Sequence, residues 1–140
     1  MAVAGGWGVD GARELIAALE KGVAQTEALM RAVVEKSATD LVALTQRNAS
    51  GRPGPNAPTG DYRGSWRVEE VDEADPSAVS RSAGTDRAQA NRLEYGFVGT
   101  DSLGRTYDQP PYPHHGPAVD VIEPLFEAAM GQVADQAVRW

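Results

Sequence analysis

From Asp10 to Arg47 the chain contains no proline, and apolar or small residues recur at Leu15, Leu19, Val23, Thr26, Met30, Val33, Ser37, Leu41 and Leu44. Steps of four and three along that series place the whole set on one face of an α-helix. Asp10 suits an N-cap, and Gly22 is the weak point of the run, costing about 1 kcal/mol relative to alanine. A helix over 10–47 would be about 55 Å long at about 1.5 Å per residue. The chain has 140 residues, the size of a single domain. Such a domain has a radius of gyration of about 14 Å and a diameter of roughly 37 Å. Either the helix breaks near Gly22, or part of it projects and buries its apolar face on another chain. The second outcome predicts a homo-oligomer.

The segments after the helix are short. "NASGRPGPNAPTG" (48–60) holds three prolines and three glycines, which end the helix and predict a mobile loop. "DYRGSWRVEEV" (61–71) alternates, with Tyr62, Gly64, Trp66 and Val68 on one face and charged or polar residues on the other, as in a half-buried strand. "DEADPS" (72–77) predicts a turn and "AVSRSAGT" (78–85) a returning strand. Thr85 or Asp86 suits the cap of a short helix, "RAQANRLEYG", that Gly96 would end. "FVGTDSLGR" reads as a strand end and a turn. "YDQPPYPHHGP" (107–117) reads as a stiff extended arm, with Pro117 at the first position of a final helix. That helix keeps its spacing through Ile122, Leu125, Ala129 and Val133, and Pro124 should kink or restart it. The expected fold is therefore α+β: long N-terminal and C-terminal helices packed on a small antiparallel sheet, with long Pro/Gly loops. Residues 1–9, rich in glycine, are expected to be flexible. Leu15, Leu19, Val23, Val33, Leu41, Tyr62, Trp66, Tyr95, Ile122, Leu125 and Phe126 are the expected core or subunit-packing residues.

Composition excludes several classes. No cysteine is present, so there is no disulfide framework, thiolate metal site or cysteine nucleophile. No apolar run reaches the length of a membrane span, and the first residues lack the basic and apolar regions of a signal peptide. The net charge is −7, which argues against tight binding of a phosphate backbone.

Both histidines, His114 and His115, are adjacent. In an extended segment they would point opposite ways, and Asp108 and Asp120 do not stand at a ligand spacing such as His-Glu-x-x-His. They are thus read as packing or interface residues, and no metal or cofactor is expected. Neither "RGSWR" nor "SRSAG" is a nucleophile elbow. Glu69–Glu70 and Asp72–Glu73 read as a solvated face, and the glycines of "GFVGTDSLGR" lack phosphate-loop spacing. "YRGSWR" could stack bases, although its alternation sets aromatics and arginines on opposite faces. "QPPYP" could dock in a partner's groove.

Taken in order, these pieces resemble the neck and tail-completion ("tail component") family of long-tailed double-stranded DNA bacteriophages. Its Thr-Gly-x-Leu/Tyr-Arg-x-Ser segment is matched by Thr59, Gly60, Tyr62, Arg63 and Ser65, and its Glu-Tyr/Phe-Gly segment by Glu94, Tyr95 and Gly96. Its Pro-x-x-x-x-Pro-Ala opening of the last helix corresponds to the stretch from Pro113 to Ala118, with Pro117 before Ala118 and three rather than four residues between the prolines. The match covers most of residues 10–135. Where many members carry an aromatic and an arginine before the last Pro-Ala, this chain has His115 and Gly116.

The resemblance implies a non-enzymatic virion protein made in the bacterial host cytoplasm. It would form a homo-oligomeric ring, often sixfold, at the head–tail junction, between the head-closure connector and the tail terminator or tail tube. DNA would be passing cargo only, and the acidic surplus fits a lumen to which DNA does not stick. Tail terminator and head-closure proteins of the same junction are alternatives. Outside that class stand a small protein-binding module using the Pro-rich segment and a hydrolase using a histidine as base. Arg52, Pro53, Pro55, Asn56, Tyr107, Pro111, Tyr112, His114 and His115 are the expected contacts between subunits or rings.

Overall fold

The computed structural model describes residues 9–71 and 78–139. Its elements are α1 (Val9–Asn48), α2 (Asp61–Gly64), β1 (Arg67–Glu70), β2 (Arg81–Gly84), α3 (Ala90–Tyr95), β3 (Phe97–Thr100), β4 (Thr106–Gln109) and α4 (His115–Ala137). This is the expected α+β arrangement. The turn expected over 72–77 and the loose start expected over 1–9 lie outside the described residues, apart from Val9, which belongs to α1. Asp10 lies inside α1 rather than capping it.

α1 is continuous over 40 residues, about 60 Å, with no break at Gly22. α4 runs back along it, antiparallel. Thr45 meets His115. Further along, Ala38 and Leu41 share a groove with Val119 and Ile122, and Leu29 shares one with Gln136 near the end of α4. Ala38, Val42, Ala118 and Val133 are buried in these two helices. Side chains this small allow close approach of the two backbones. Pro124 does not interrupt α4. It sits on an exposed position, where the carbonyl it leaves unpaired can meet water.

α4 has 23 residues and α1 has 40. The difference decides which expected core residues are buried. Leu15, Leu19 and Val23, on the seam face, remain 45%, 45% and 52% exposed, because α4 ends before it reaches them. Leu125 is also exposed, in an open groove that α4 shares with Val33 and Ser37 of α1, and Tyr95 is exposed at the last position of α3. Trp66 is buried, while Val33, Leu41, Tyr62, Ile122 and Phe126 are half-buried.

The strands form two separate antiparallel pairs rather than one sheet. β1 pairs with β2 from Arg67 opposite Gly84 to Glu70 opposite Arg81. β3 pairs with β4 from Phe97 opposite Gln109 to Thr100 opposite Thr106, so Tyr107 belongs to a strand and not to a free arm. Asp101 holds the β3–β4 turn by accepting from the Leu103 and Arg105 amides and the Arg105 guanidinium. Arg81 fixes the first pair to α1. Its guanidinium donates to Glu35 Oε1 at 3.0 Å and lies 3.8 Å from Glu70 Oε1, and its side chain is 10% exposed.

Two further expectations change. Residues 61–64 are helical, so the strand is confined to Arg67–Glu70. Tyr62 and Trp66 are four residues apart, a spacing that fits one face of a strand or of a helical turn equally well. Gly60 decides between them. It takes a left-handed conformation (φ 82°) and its carbonyl accepts from the Gly64 amide. The 48–60 loop, expected to be mobile, is folded onto the start of α4. Gly54 and Pro55 are buried, the Gly51 amide donates to the Pro55 carbonyl, and Arg52 lies 3.8 Å from the Tyr112 ring centroid. A Cβ on Gly54 would stand 1.9 Å from the Asn48 carbonyl oxygen, so only glycine fits there.

Candidate functional site

The start of α4 is where the chain concentrates its chemistry. The helix begins at His115 with His114 as N-cap, which moves Pro117 to the third helical position. The first amides of a helix have no partner within it. Here a carboxylate from another helix supplies one. Glu94 of α3 accepts from the amides of His114 (3.2 Å to Oε2), His115 (2.7 Å to Oε1) and Gly116 (3.3 Å to Oε2). Its side chain is 11% exposed. A negative charge at this end also complements the helix dipole. The clamp depends on the chain path around it. Tyr112 donates its amide to the Leu93 carbonyl at 2.7 Å. Gly96, with φ 81°, lets the Gln109–Pro111 segment pass so close that a Cβ would stand 2.8 Å from the Gln109 oxygen.

Both imidazoles turn inward to Trp66, contrary to the expectation that they diverge. His115 stacks on the indole at 4.7 Å and 21°, and His114 meets it edge-on at 5.9 Å. Their partners fix the tautomers. His114 Nδ1 lies 2.8 Å from the Tyr112 carbonyl and must donate, so Nε2 accepts the Tyr62 hydroxyl at 2.6 Å. Thr45 donates its hydroxyl to the Leu41 carbonyl, so its oxygen accepts from His115 Nδ1 at 3.1 Å. Asn48 closes the ring of contacts by donating to the His114 carbonyl at 3.0 Å.

The electrostatics follow from burial. Burial pulls the His115 imidazole below its ordinary value, the Glu94 charge opposing this and His114 adding to it. Burial also pushes the Tyr62 phenol up, with the Trp66 N–H opposing and the Glu94 charge adding. That N–H has no hydrogen bond of normal geometry, so its pull on Tyr62 is a weak dipolar one.

Of the nine residues expected at an interface, the structure gathers several here and separates others. His114 is fully buried and Pro55 nearly so; both belong to this chain's own interior. This corrects the expectation that they face another subunit, because the cluster and the folded loop cover them. His115 and Tyr112 are half-buried in the same region, while Arg52, Pro53, Asn56 and Pro111 are exposed around it. Tyr107 stands apart, packed on Phe97 at 5.9 Å and donating to Asp101. Glu94 stands in the Glu-Tyr-Gly segment with no role legible in the sequence, and Thr45 and Asn48 were not among the expected site residues. Thr45 had a usable signal, a polar residue one step from the apolar stripe's last member. Glu94 had none, because its partners are amides some twenty residues away.

Among the described residues no group of three or more His, Asp or Glu side chains could hold a metal ion, and no helix is long and apolar enough to cross a membrane. In comparisons with known proteins, no family model matches the chain, and neither does any curated protein or solved structure.

Proposed function

We propose that this chain is a non-enzymatic structural subunit of the head–tail junction of a long-tailed double-stranded DNA phage, working as a homo-oligomeric ring between head connector and tail. One observation carries the reading. The three segments on which the family resemblance rests, distant in sequence, meet in one cluster: Tyr62 of the first and Glu94 of the second both hold the stretch between the prolines of the third, through the His114 ring and the His114 and His115 amides. Segments that interlock in the interior in this way serve as a scaffold. The side chains that would serve catalysis are committed to that scaffold. His114 has Nδ1 against the Tyr112 carbonyl and, at 3.4 Å, Glu94 Oε1, and Nε2 against the Tyr62 hydroxyl, while Glu94 spends its carboxylate on backbone amides. The exposed projecting half of α1 supplies apolar surface for assembly.

Imaging of purified phage particles tests this. Density fitted by this fold as a ring at the head–tail junction is the expected result. The chain's absence from particles, or its location in the tail fibre or capsid shell, would refute it. Assignment to the terminator or the head-closure layer would keep the class and change the position.

A further inference from the structure

The chain carries 20 acidic residues against 13 basic ones, yet residues 41–60 contain no Asp or Glu. They form the end of α1 and the folded loop after it. Three arginines gather at this end: Arg47 in the last turn of α1, Arg52 in the loop and Arg63 in α2. Elsewhere Arg67, Arg81 and Arg105 each reach a carboxylate. Among the described residues none of Arg47, Arg52 and Arg63 is ion-paired. The acids that bound the stretch are Asp40, which pairs with Lys36 at 2.8 Å, and Asp61, exposed at the start of α2. Glu94 is already used by the amides at the start of α4.

Two of the three guanidiniums are held in place without being neutralised. Arg52 lies 3.8 Å over the Tyr112 ring centroid and donates Nη1 to the Gly54 carbonyl at 3.0 Å. Arg63 donates Nη1 to Ser50 Oγ at 3.1 Å. Each keeps further N–H donors, because a guanidinium carries several. The loop beneath them is anchored by the buried Gly54 and Pro55. Arg47 and Arg52 line one cavity of about 280 Å³ between the end of α1 and the start of α4, with Pro53, Pro113 and Pro117 among its walls.

We infer that Arg47 and Arg52, with Arg63 beside them, bind a phosphate group, either as the free anion or in the backbone of a nucleic acid. One guanidinium fork satisfies a planar carboxylate. A phosphate presents its oxygens around a tetrahedral centre, which suits donors that reach one cavity from a helix end and from a loop. Fixing a donor before the ligand arrives lowers the entropy lost on binding, and Arg52 is fixed by its ring and carbonyl contacts. The net charge of −7 repels a polyanion over the rest of the surface, so the contact is weak and confined to this end. Such a site goes beyond the assembly reading and stands whether or not the chain forms a ring.

The test titrates the whole chain with inorganic phosphate while NMR follows the arginine side-chain N–H signals. Those of Arg47 and Arg52 should shift together and saturate on the order of 1–10 mM, as expected of hydrated surface cations. Arg47→Gln combined with Arg52→Gln should weaken binding about fivefold or more. Both side chains are exposed, so folding is retained, and circular dichroism checks this. Arg52→Lys should also weaken it, because the ammonium keeps the charge and loses the fork. Lys21→Gln, an exposed change on the projecting part of α1, should leave it unaltered. A labelled DNA duplex, followed by fluorescence anisotropy at about 50 mM salt, separates the two sources. Binding with a slope of about −2 to −3 in log K against log salt, shallower by about 1 for each arginine removed, assigns the site to a nucleic-acid backbone. Phosphate binding without duplex binding assigns it to the free anion. No response to either ligand, with phosphate raised to about 50 mM, overturns the inference. So does binding that the double variant retains in full. A response to acetate as strong as that to phosphate overturns it as well, since the site would then select carboxylates equally.

Discussion

Removing the Glu94 carboxylate tests whether the start of α4 is held by a charge from α3. Glu94→Ala leaves three amides without their acceptor, those of His114, His115 and Gly116. Gly116 is exposed, so water can replace the lost bond there at small cost. His114 is fully buried, and an orphaned buried donor costs about 1–3 kcal/mol. The half-buried His115 amide makes the shortest bond of the three, at 2.7 Å. Its loss, taken as that of a helix cap, adds about 0.5–2 kcal/mol. The charge–dipole attraction adds up to about 1 kcal/mol for this little-exposed carboxylate. These contributions overlap, and a total near 3 kcal/mol is expected. Glu94→Gln keeps one acceptor oxygen and loses the charge, so about 1–1.5 kcal/mol is expected. In urea unfolding with a slope of about 1.5 kcal/mol/M, the midpoint falls by about 2 M for alanine and about 1 M for glutamine, with an unchanged slope. An alanine variant within about 0.3 M of the wild type would refute the clamp. Equal losses for both variants would refute the division between hydrogen bonds and charge.

Tyr62→Phe removes the hydroxyl that His114 Nε2 accepts and leaves a buried acceptor unpaired, so it should cost about 1–2 kcal/mol in the same assay. Stability should form a plateau across neutral pH. His115 has its proton affinity lowered in the folded state, so the unfolded chain takes up the proton first and stability falls as pH drops below about 6.5. Tyr62 has its affinity raised, so the unfolded chain loses the proton first and stability falls as pH rises past about 10. Thermal melts across pH check both limbs, and His115→Gln should flatten the acid one. Gly54→Ala should cost about 2 kcal/mol or more, because its Cβ meets the Asn48 backbone. Gly64→Ala, with open space at that position, should change the urea midpoint little.

The sequence by itself determined what depends on local spacing. The three- and four-residue steps from Leu15 to Leu44 specified α1, and its length left two outcomes, a break or a projecting end. Gly96 ended α3, and the proline segment opened α4, because glycine and proline limit the backbone wherever they stand. Two local readings failed where one pattern suited two structures, as with Tyr62 and Trp66. Only the tertiary structure decided how far α4 reaches along α1. That alone separates the buried Ala38 and Val42 from the exposed Leu15 and Leu19, although all lie within one helix. It also decided the fate of the histidines. Nothing within a few residues of His114 and His115 shows that Tyr62, Trp66, Thr45 and Glu94 will surround them. Periodicity records which face of an element is apolar, whereas the partner that covers that face, and the distant group that satisfies a helix end, exist only once the chain has closed on itself.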